Sequence, residues 1–442
     1  MSMHSHTPKL HVNDPRDLSI REVAYLRKAE HTSPETQVTR HMWDCAGRNV
    51  ADWDPRLWGT APRPNTWAIH SLSGQTLLED SVDAGWQLSL TGASGELLTR
   101  WDGRGNQQHI EYDHLRRPTA ISEIATDGLP STVERFIYGG PDASTENQCN
   151  RLIRHDDTAG ALQLPSYGLH GSPLCEIRQF LLKPETPDWP INVPERDEWL
   201  EAQTWTSRWQ FNALAETVEQ TDARGNTQAL LHTVAGQLSG VTLQLMGESQ
   251  SLLLVSDVQY NAFGQLEQQT AGNGTTNQYV YEPRQGRLVE LRTGLADETA
   301  LQDLTYAYDP VGNIIEIEDR AQNTRFFANQ KIEPINRYCY DSLYQLIQAS
   351  GWEVSTGPSH GPALPDLQTP IADPNKLSNY TQTYSYDAGA NLLQMRHVGA
   401  QSFTRTMEVA TDSNRSLPDG DTSLDLTTGF DANGNLQELV RG

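Results

Sequence analysis

The sequence predicts an all-β protein in which repeated β-hairpins form one continuous sheet. A turn motif recurs along the 442 residues: an aromatic residue, Asp, two further residues, Gly and a polar residue. Apolar residues alternate with others on both sides of the clearest copy, as they do in hairpin strands. Only 36% of the residues are hydrophobic, which fits a sheet with solvent on both faces better than one large packed core. The length-based expectation of about three domains therefore gives way to one repeating unit.

The clearest copy of the motif is residues 308–314, Tyr-Asp-Pro-Val-Gly-Asn-Ile. Asp309 stands where its carboxylate can accept hydrogen bonds from backbone N–H groups, and Pro310 fixes φ at the next position. Gly312 supplies the left-handed residue that returns the chain to a strand through a bulge. One such unit cannot bury its own faces, so neighbouring copies have to pack side by side.

Ten complete or partial copies of this motif occur between Trp43 and Leu436. In the copy at Tyr386 the Gly is displaced by one position, and in the copy at Tyr340 another Tyr replaces it. A single Asp-x-x-Gly carries little information, but ten copies in one chain indicate a repeat. The residues predicted to form the repeat turns are Asp44, Gly47, Asp102, Gly105, Asp156, Gly160, Asp222, Gly225, Gly264, Tyr308, Asp309, Gly312, Tyr340, Asp341, Tyr386, Asp387, Asp431 and Gly434.

The copies and the breaks between them divide the chain into six segments. These are, in order, an N-terminal segment (1–40), a repeat sheet with a Trp-rich start (41–182), an insertion (183–210), a second repeat sheet (211–350), a Pro-rich loop (351–379) and a final repeat sheet (380–442). Ten of the eleven Trp residues precede residue 210. Large aromatic residues dominate both cores and interfaces, so these Trp residues either pack inside the sheet or face a partner.

The insertion is rich in Pro, Glu and Trp. Pro194 followed by Glu195 is typical of a helix start, which predicts a short helix from Pro194 to about Trp209. Its apolar edge would consist of Trp199, Trp205 and Trp209. The helix then packs on the sheet or docks a partner. The Pro-rich stretch lacks periodicity and predicts a long surface loop or linker.

The composition opposes several classes of function. The formal net charge of −24 and the pI near 4.8 disfavour binding to nucleic acid or to an anionic membrane surface. The longest aliphatic run, Leu252–Val255, is far too short for a membrane-spanning helix, and residues 1–17 lack the apolar core of a secretory signal. Four separated cysteines without a Cys-x-x-Cys pair are predicted to be free thiols.

No spacing of residues predicts catalysis, a cofactor or a metal site. The sequence lacks GxSxG, P-loop, GxGxxG and HExxH motifs. We attribute His4, His6 and His11 to a flexible tail, and the repeat Asp residues lack the acidic cluster of an EF-hand loop. Glu316 and Glu318 would resemble a glycosidase pair only if a further carboxyl group lay nearby. We therefore predict that the protein is not an enzyme.

Six longer stretches carry a family resemblance, in this order: 12–21 (VNDPRDLSIR), 38–41 (VTRH), 54–57 (DPRL), 81–85 (SVDAG), 134–137 (ERFI) and 325–346. Together with the Tyr-Asp turns they resemble the YD-repeat, or RHS, family. The stretch 325–346 resembles one branch of it in particular, the C subunit of the three-component bacterial Tc insecticidal toxins. The likeness spans nearly the whole chain.

The resemblance implies a shell function. In that family the C subunit and a B-type partner form a hollow β-sheet shell around a cytotoxic domain, and an A-type component then translocates this cargo. The resemblance also implies synthesis in the bacterial cytoplasm without a signal peptide, followed by extracellular action within the assembled toxin. The family continues past Asp431 into a self-cleaving core and a variable toxin, whereas this sequence stops at Gly442. Self-cleavage and toxicity are therefore not assigned to its residues.

Two other hypotheses stay open at this point. A carbohydrate- or cell-surface-binding YD-repeat module would use exposed Trp and Tyr residues as platforms for sugars. A hydrolase would need a cleft that gathers several carboxylates with raised pKa values. If the shell hypothesis holds, the isolated chain has open sheet edges, and we expect it to fold incompletely or to aggregate.

Overall fold

The computed structural model of the chain describes residues 3–126, 128–295, 300–327, 329–354, 376–420 and 425–437. This part of the chain forms strands β1 to β32 and one helix, α1, which is Val193–Asp197. The strands are, in order, Leu10–Asn13, Ser19–Leu26, Glu35–Trp43, Asn49–Trp53, Thr66–His70, Thr76–Ser81, Gly85–Thr91, Leu97–Asp102, Gln107–Tyr112, Pro118–Ile124, Ser131–Tyr138, Leu152–Asp157, Gly160–Tyr167, Pro173–Phe180, Trp205–Phe211, Thr217–Thr221, Thr227–His232, Leu238–Gln244, Leu252–Tyr260, Leu266–Ala271, Thr275–Tyr281, Leu288–Leu295, Gln302–Tyr308, Ile314–Asp319, Arg325–Phe327, Gln330–Ile332, Ile335–Tyr340, Leu346–Val354, Leu377–Tyr386, Leu392–Val398, Phe403–Val409 and Ser416–Pro418.

Thirty of these strands form one antiparallel sheet in which each strand pairs with the next strand in sequence. β24 pairs directly with β27, because β25 and β26 form a separate hairpin. The sheet does not close on itself: among the described strands, β1 pairs only with β2 and β32 only with β31. The all-β fold class predicted from the repeats is confirmed. Among the described residues, no helix is both long and apolar enough to cross a membrane.

The two faces of the sheet differ in exposure. In β7, Trp86, Leu88 and Leu90 are exposed, whereas Gln87 and Ser89 on the opposite face are half-buried. The pairing registers place the exposed positions of β5, β9, β21 and β27, together with Arg208 and Gln210 of β15, on the same face as Trp86. Side chains crowd together on the inside of a curved sheet and spread apart on its outside. We therefore call the more exposed face the convex face and the other the concave face.

This curvature brings the beginning of the sheet back against its end. The connection between β2 and β3 contacts the connection between β27 and β28, where the N–H of Ser342 donates to the carbonyl of Arg27 at 3.2 Å. β2 is the second strand of the sheet and β27 the twenty-fifth, so one turn of the coil takes twenty-three strands. With a strand spacing of about 4.8 Å, one turn is about 110 Å long and about 35 Å across.

Over the described part of the chain, most of the sheet has no hydrophobic core beneath it. The accessible surface of the chain is 26408 Å², against about 17,000 Å² for a compact protein of this mass. The main buried apolar cluster is Ala161, Trp189 and Leu200, with Leu181 packed against it. It lies where the insertion covers the sheet. The low hydrophobic content is therefore explained by a wall with solvent on both sides.

The insertion differs from its prediction. Its helix covers only Val193–Asp197, and residues Trp205–Phe211 form β15 instead of continuing the helix. β15 pairs with both β14 and β16, so the backbone bonds of the sheet outweigh the local helical signal. The insertion packs on the convex face of β11 to β14, where the N–H of Trp189 donates to the carbonyl of Thr132 at 2.8 Å.

The prediction of a surface loop over 351–379 is wrong at both ends. Residues 351–354 complete β28 and residues 377–379 begin β29, and these two strands pair with each other, with Trp352 opposite Asn379. Residues 355–375 of the predicted loop lie outside the described residues. The N-terminal segment 1–40 likewise belongs to the sheet, because it contains β1, β2 and most of β3.

Candidate functional site

Each repeat turn is held by one side chain that satisfies the backbone of its own turn. In the clearest copy, Oδ1 of Asp309 accepts from the N–H groups of Val311 at 3.0 Å and of Gly312 and Asn313 at 2.8 Å. The amide of Asn313 donates to Oδ2 of Asp309 at 2.8 Å. Gly312 has a φ of 111°, which an L side chain rarely adopts. The Asp, Gly and Asn of the motif therefore form one closed hydrogen-bonded unit.

The Tyr of the motif connects its repeat to the preceding one. The Tyr308 hydroxyl donates to the carbonyl of Leu288 at 2.6 Å, and Leu288 is the first residue of β22, just after the preceding turn. The same bond, at 2.7–2.9 Å, joins Tyr112 to Leu97, Tyr260 to Leu238, Tyr281 to Leu266, Tyr340 to Ile314 and Tyr386 to Leu346. Our sequence reasoning missed this contact. The sequence does carry a sign of this contact: an aliphatic residue recurs just after each of these turns, and its backbone carbonyl accepts the hydrogen bond.

The other turn residues adopt equivalent positions. Backbone N–H groups of their own turns donate to the carboxylates of Asp44, Asp102, Asp222, Asp341, Asp387 and Asp431. A left-handed φ occurs at Gly47, Gly105, Gly225, Gly264 and Gly434. In the two copies without this Gly, Ala390 and Tyr344 take the left-handed position with φ of 67° and 68°. The turn conformation is thus kept even where the residue type disfavours it.

The prediction for Asp156 is wrong. The turn carboxylate of that copy belongs to Asp157, whose Oδ1 accepts from the N–H of Gly160 at 3.1 Å. Asp156 precedes it on β12 and therefore points to the opposite face of the sheet. There it is fully buried and bonds to Arg154 at 2.8 Å and to Arg196 of the insertion. Because Asp156 and Asp157 are adjacent, the motif alone does not show which of them holds the turn. The structure shows that only Asp157 lies on the face of β12 that meets the turn.

Hydrogen bonds within the turns favour the ionised form of most repeat carboxylates. The pKa of Asp44 is lowered from 3.8 to about 2, first by the backbone N–H of Arg48 and then by its guanidinium. The side-chain amide of Asn226 is the main cause of the lowered pKa of Asp222. Asp341 differs, because burial raises its pKa by more than its backbone hydrogen bonds lower it. These carboxylates are engaged with their own turns, which is a structural use of Asp.

A second set of contacts joins early connections of the sheet to late ones, and we call it the seam. Arg56 lies at its centre: Nη1 donates to the carbonyl of Ala410 at 2.7 Å and Nη2 to Oδ1 of Asn414 at 2.9 Å. The Arg56 guanidinium also lies 3.3 Å from the carboxylate of Asp387. The backbone N–H of Asn414 donates to Asp83 at 2.6 Å. Side chains more than 300 residues apart thus hold the coil together.

The seam continues farther along the sheet, where the turn between β8 and β9 meets the turn at residues 431–434. The amide of Asn433 donates to Oδ2 of Asp102 at 2.8 Å, and Arg104 lies 3.5 Å from the carboxylate of Asp431. Gly434 fits closely here, because a Cβ at this position would lie 2.0 Å from the Asp83 carbonyl. Predicted turn residues therefore have a second role that the repeat pattern alone does not reveal. The stretches 54–57 and 81–85, noted for their family resemblance, form part of this seam.

A cavity of about 500 Å³ lies beside the seam and is lined by Trp101, Asp102, Arg104 and Asn433 among others. Burial alone would raise the pKa of Asp102, but hydrogen bonds from the amides of Asn433 and Asn106 outweigh it and lower the pKa. Asp102 is therefore an ionised, hydrogen-bonded group at neutral pH. Within the described residues, no group of three or more His, Cys, Asp or Glu side chains is arranged to hold a metal ion.

These features define a class of protein: a coiled antiparallel sheet of YD repeats whose early and late strands meet at a seam. No protein-family model matches the chain. It is similar to the toxin subunits YenC1 and YenC2 of Yersinia entomophaga, with 36% identity over 469 residues and 32% over 478 residues. These matches cover 100% of this chain but 47% and 49% of the two relatives. The chain thus spans about half the length of the curated relatives it matches.

Solved structures agree with this assignment. The chain is similar to a chain of the TcdB2-TccC3 crystal structure, with a TM-score of 0.92 and 34% identity over 100% of this chain and 22% of that one. It is also similar to a chain of the Tc holotoxin pore of Photorhabdus luminescens, with a TM-score of 0.90 and 34% identity over 100% of this chain and 21% of that one. The chain belongs to the RHS/YD-repeat shell proteins of the Tc toxin C-subunit kind.

Proposed function

We propose that the chain is a wall segment of a toxin-enclosing shell, which pairs with a B-type subunit and acts by enclosure, without catalysis. The observation that carries this proposal is the return of the sheet onto itself at the seam after twenty-three strands. Subtracting a sheet thickness of about 10 Å from the coil leaves an interior about 25 Å wide. That interior is wide enough to hold polypeptide, while the solvated faces of the wall need little apolar core.

The B-type partner follows from the unfinished edges of the coil. Among the described strands, β1 has a neighbour on one side only, and an unpaired strand edge favours addition of another strand. The fold of this chain matches 22% of a chain in the TcdB2-TccC3 structure. In our proposal a B-type subunit completes the wall, an A-type component then moves the cargo into a target cell, and the assembled toxin acts outside the cell that made it.

Mixing the chain with its cognate B-type subunit tests this function. Size-exclusion chromatography should show a stoichiometric complex, and electron microscopy of that complex should show a closed shell with a hollow interior. An unrelated YD-repeat protein mixed with the same B-type subunit is the control and should elute separately. If the chain and the B-type subunit elute separately at both low and high salt, the proposal is wrong.

A further inference from the structure

The convex face of β1 to β7 carries a cluster of exposed apolar side chains, which we call the apolar patch. Arg21, Arg40 and Asp80 lie among them on the same face. Each member is between 36% and 51% exposed. The members are Leu10, Val12, Met42, Trp67, Ile69, Trp86, Leu88 and Leu90. They lie on four of the first seven strands of the sheet, namely β1, β3, β5 and β7.

The strand registers show that these side chains share one face. Directly opposed residues of neighbouring antiparallel strands point to the same side of a sheet. Ile69 opposes Leu78, and Leu78 opposes Leu88. Trp67 opposes Ala51, which opposes Met42. The same succession reaches β1 through the pairs Arg40–Trp53, Arg21–Arg40 and Val12–Arg21.

The opposite face of the same strands is mainly polar, with Ile20, Val50 and Leu77 as apolar exceptions. It carries Thr39, His41, Glu79, Gln87 and Ser89, which alternate with the members of the patch. A sheet with one apolar and one polar face normally buries the apolar one. Here the apolar face is the more exposed of the two, so these seven strands have the pattern of a surface that another polypeptide covers.

The rest of the convex face gives two comparisons within the same molecule. From β15 onward it is mainly polar and charged, with residues such as Arg208, Gln278, Arg337 and Arg396. Over β11 to β14 the chain covers the face itself with the insertion, whose Trp189 is 1% exposed and packs with Leu200. Exposed apolar residues on the convex face from β15 onward, such as Leu231, Val280 and Val398, are separated by polar residues instead of forming a cluster. The insertion shows that this sheet accepts an apolar segment laid across its strands.

The size of the patch is that of a protein interface. Its exposed area is roughly 700 Å², above the few hundred Å² common on monomeric proteins and close to the roughly 800 Å² that one partner contributes to a stable complex. Asp80 lies between Trp67 and Trp86 on this face, where its carboxylate is already paired with Arg63, and the other members of the patch are aliphatic side chains and Met42, which offer a sugar no hydrogen bonds. The patch therefore fits a protein partner better than a carbohydrate.

Resting on the shell function proposed above, we propose that the B-type subunit covers the apolar patch with an apolar segment laid across β1 to β7. The patch begins at Leu10 and Val12 on β1, the strand with a free edge. A partner that adds to this edge is placed to reach the patch without crossing another part of the chain. The insertion over β11 to β14 shows the geometry of such a cover.

The test measures affinity for the cognate B-type subunit with a patch variant and a matched control. The patch variant is Trp67→Thr, Ile69→Thr and Leu90→Thr, which keeps residues that favour strands. The control is Leu231→Thr and Val280→Thr, which are 56% and 48% exposed on the same convex face outside the patch. We expect the patch variant to bind at least about 100-fold more weakly, as for residues at the centre of an interface, and the control to bind like the wild type.

Hydroxyl-radical footprinting of the wild-type chain gives a second reading that needs no variant. Met42, Trp67 and Trp86 should be protected from oxidation when the B-type subunit is bound, while Phe263, 81% exposed, should stay reactive. Unchanged affinity of the patch variant, or unchanged oxidation of the patch in the complex, overturns the inference and leaves the shell function standing. Failure of the wild-type chain to bind at all overturns both. Self-association of the wild-type chain that the patch variant loses would assign the patch to a second copy instead.

Discussion

Replacing Arg56 by Met should open the seam while leaving the hairpins intact. Met keeps most of the apolar stem of Arg but removes the guanidinium that bonds to Ala410 and Asn414 and faces Asp387. The Arg56 and Asp387 side chains are only 16% and 14% exposed, so the ion pair is partly desolvated. Loss of the donors leaves a buried carbonyl and a carboxylate without a partner across the seam.

We estimate the cost from these contacts. Breaking a buried ion pair from one side typically costs about 3–5 kcal/mol. Asp387 keeps hydrogen bonds from Gly389 and Asn391 of its own turn, so the lower end of that range applies. If the free energy that holds the seam closed falls by about 3 kcal/mol, the equilibrium constant for opening the seam rises about 100-fold.

Amide hydrogen exchange measures this opening directly. In the Arg56→Met variant, exchange should accelerate by about 100-fold both around residues 54–61 and around residues 387–415. Arg117→Met is the matched control, because Arg117 bonds to Asp113 of its own hairpin at 2.7 Å and has no role at the seam. In the Arg117→Met variant, amide exchange should accelerate only in the hairpin that contains residue 117. If Arg56→Met accelerates exchange only near residue 56, the seam does not hold the coil, and the reasoning fails.

Three further outcomes follow from the turns. Tyr308→Phe should lower the free energy of unfolding by about 1 kcal/mol through loss of one hydrogen bond; an unchanged urea midpoint would contradict the proposed link between repeats. Gly85→Ala should destabilise the chain more than Gly59→Ala in thermal melts, because both have φ near 70–80° but only at Gly85 would a Cβ lie 2.0 Å from the Ala432 carbonyl; equal losses would show that the seam tolerates the methyl group. The pKa of Asp44 is depressed from 3.8 to about 2, so its stabilisation is complete above about pH 4 and is lost as the pH falls toward 2. An NMR titration of the Asp44 carboxyl group should give that low value, and a midpoint near 4 would refute the turn geometry.

The motif predicts local structure well because its causes are local. Asp309, Gly312 and Asn313 lie within five residues of one another, so the spacing of residue types alone indicates the turn. The same reasoning was wrong by one position at Asp156, because two Asp residues in succession satisfy the pattern equally and only the faces of β12 separate them. It also extended the helix of the insertion too far, since the backbone bonds of β15 to its neighbours do not depend on local propensity.

The sequence by itself determined the class of fold, the hairpin repeat and the likeness to Tc toxin C subunits, because these depend on short-range patterns and on ordered stretches of residues. Only the tertiary structure decided that one turn of the coil takes twenty-three strands, that Arg56 meets Asn414 across more than 300 residues, and that the Trp-rich start presents an exposed apolar face. The physical reason is that each pair of neighbouring strands is rotated by a small angle, and these angles add up along the sheet. Their sum determines which distant turns meet and which face is left uncovered.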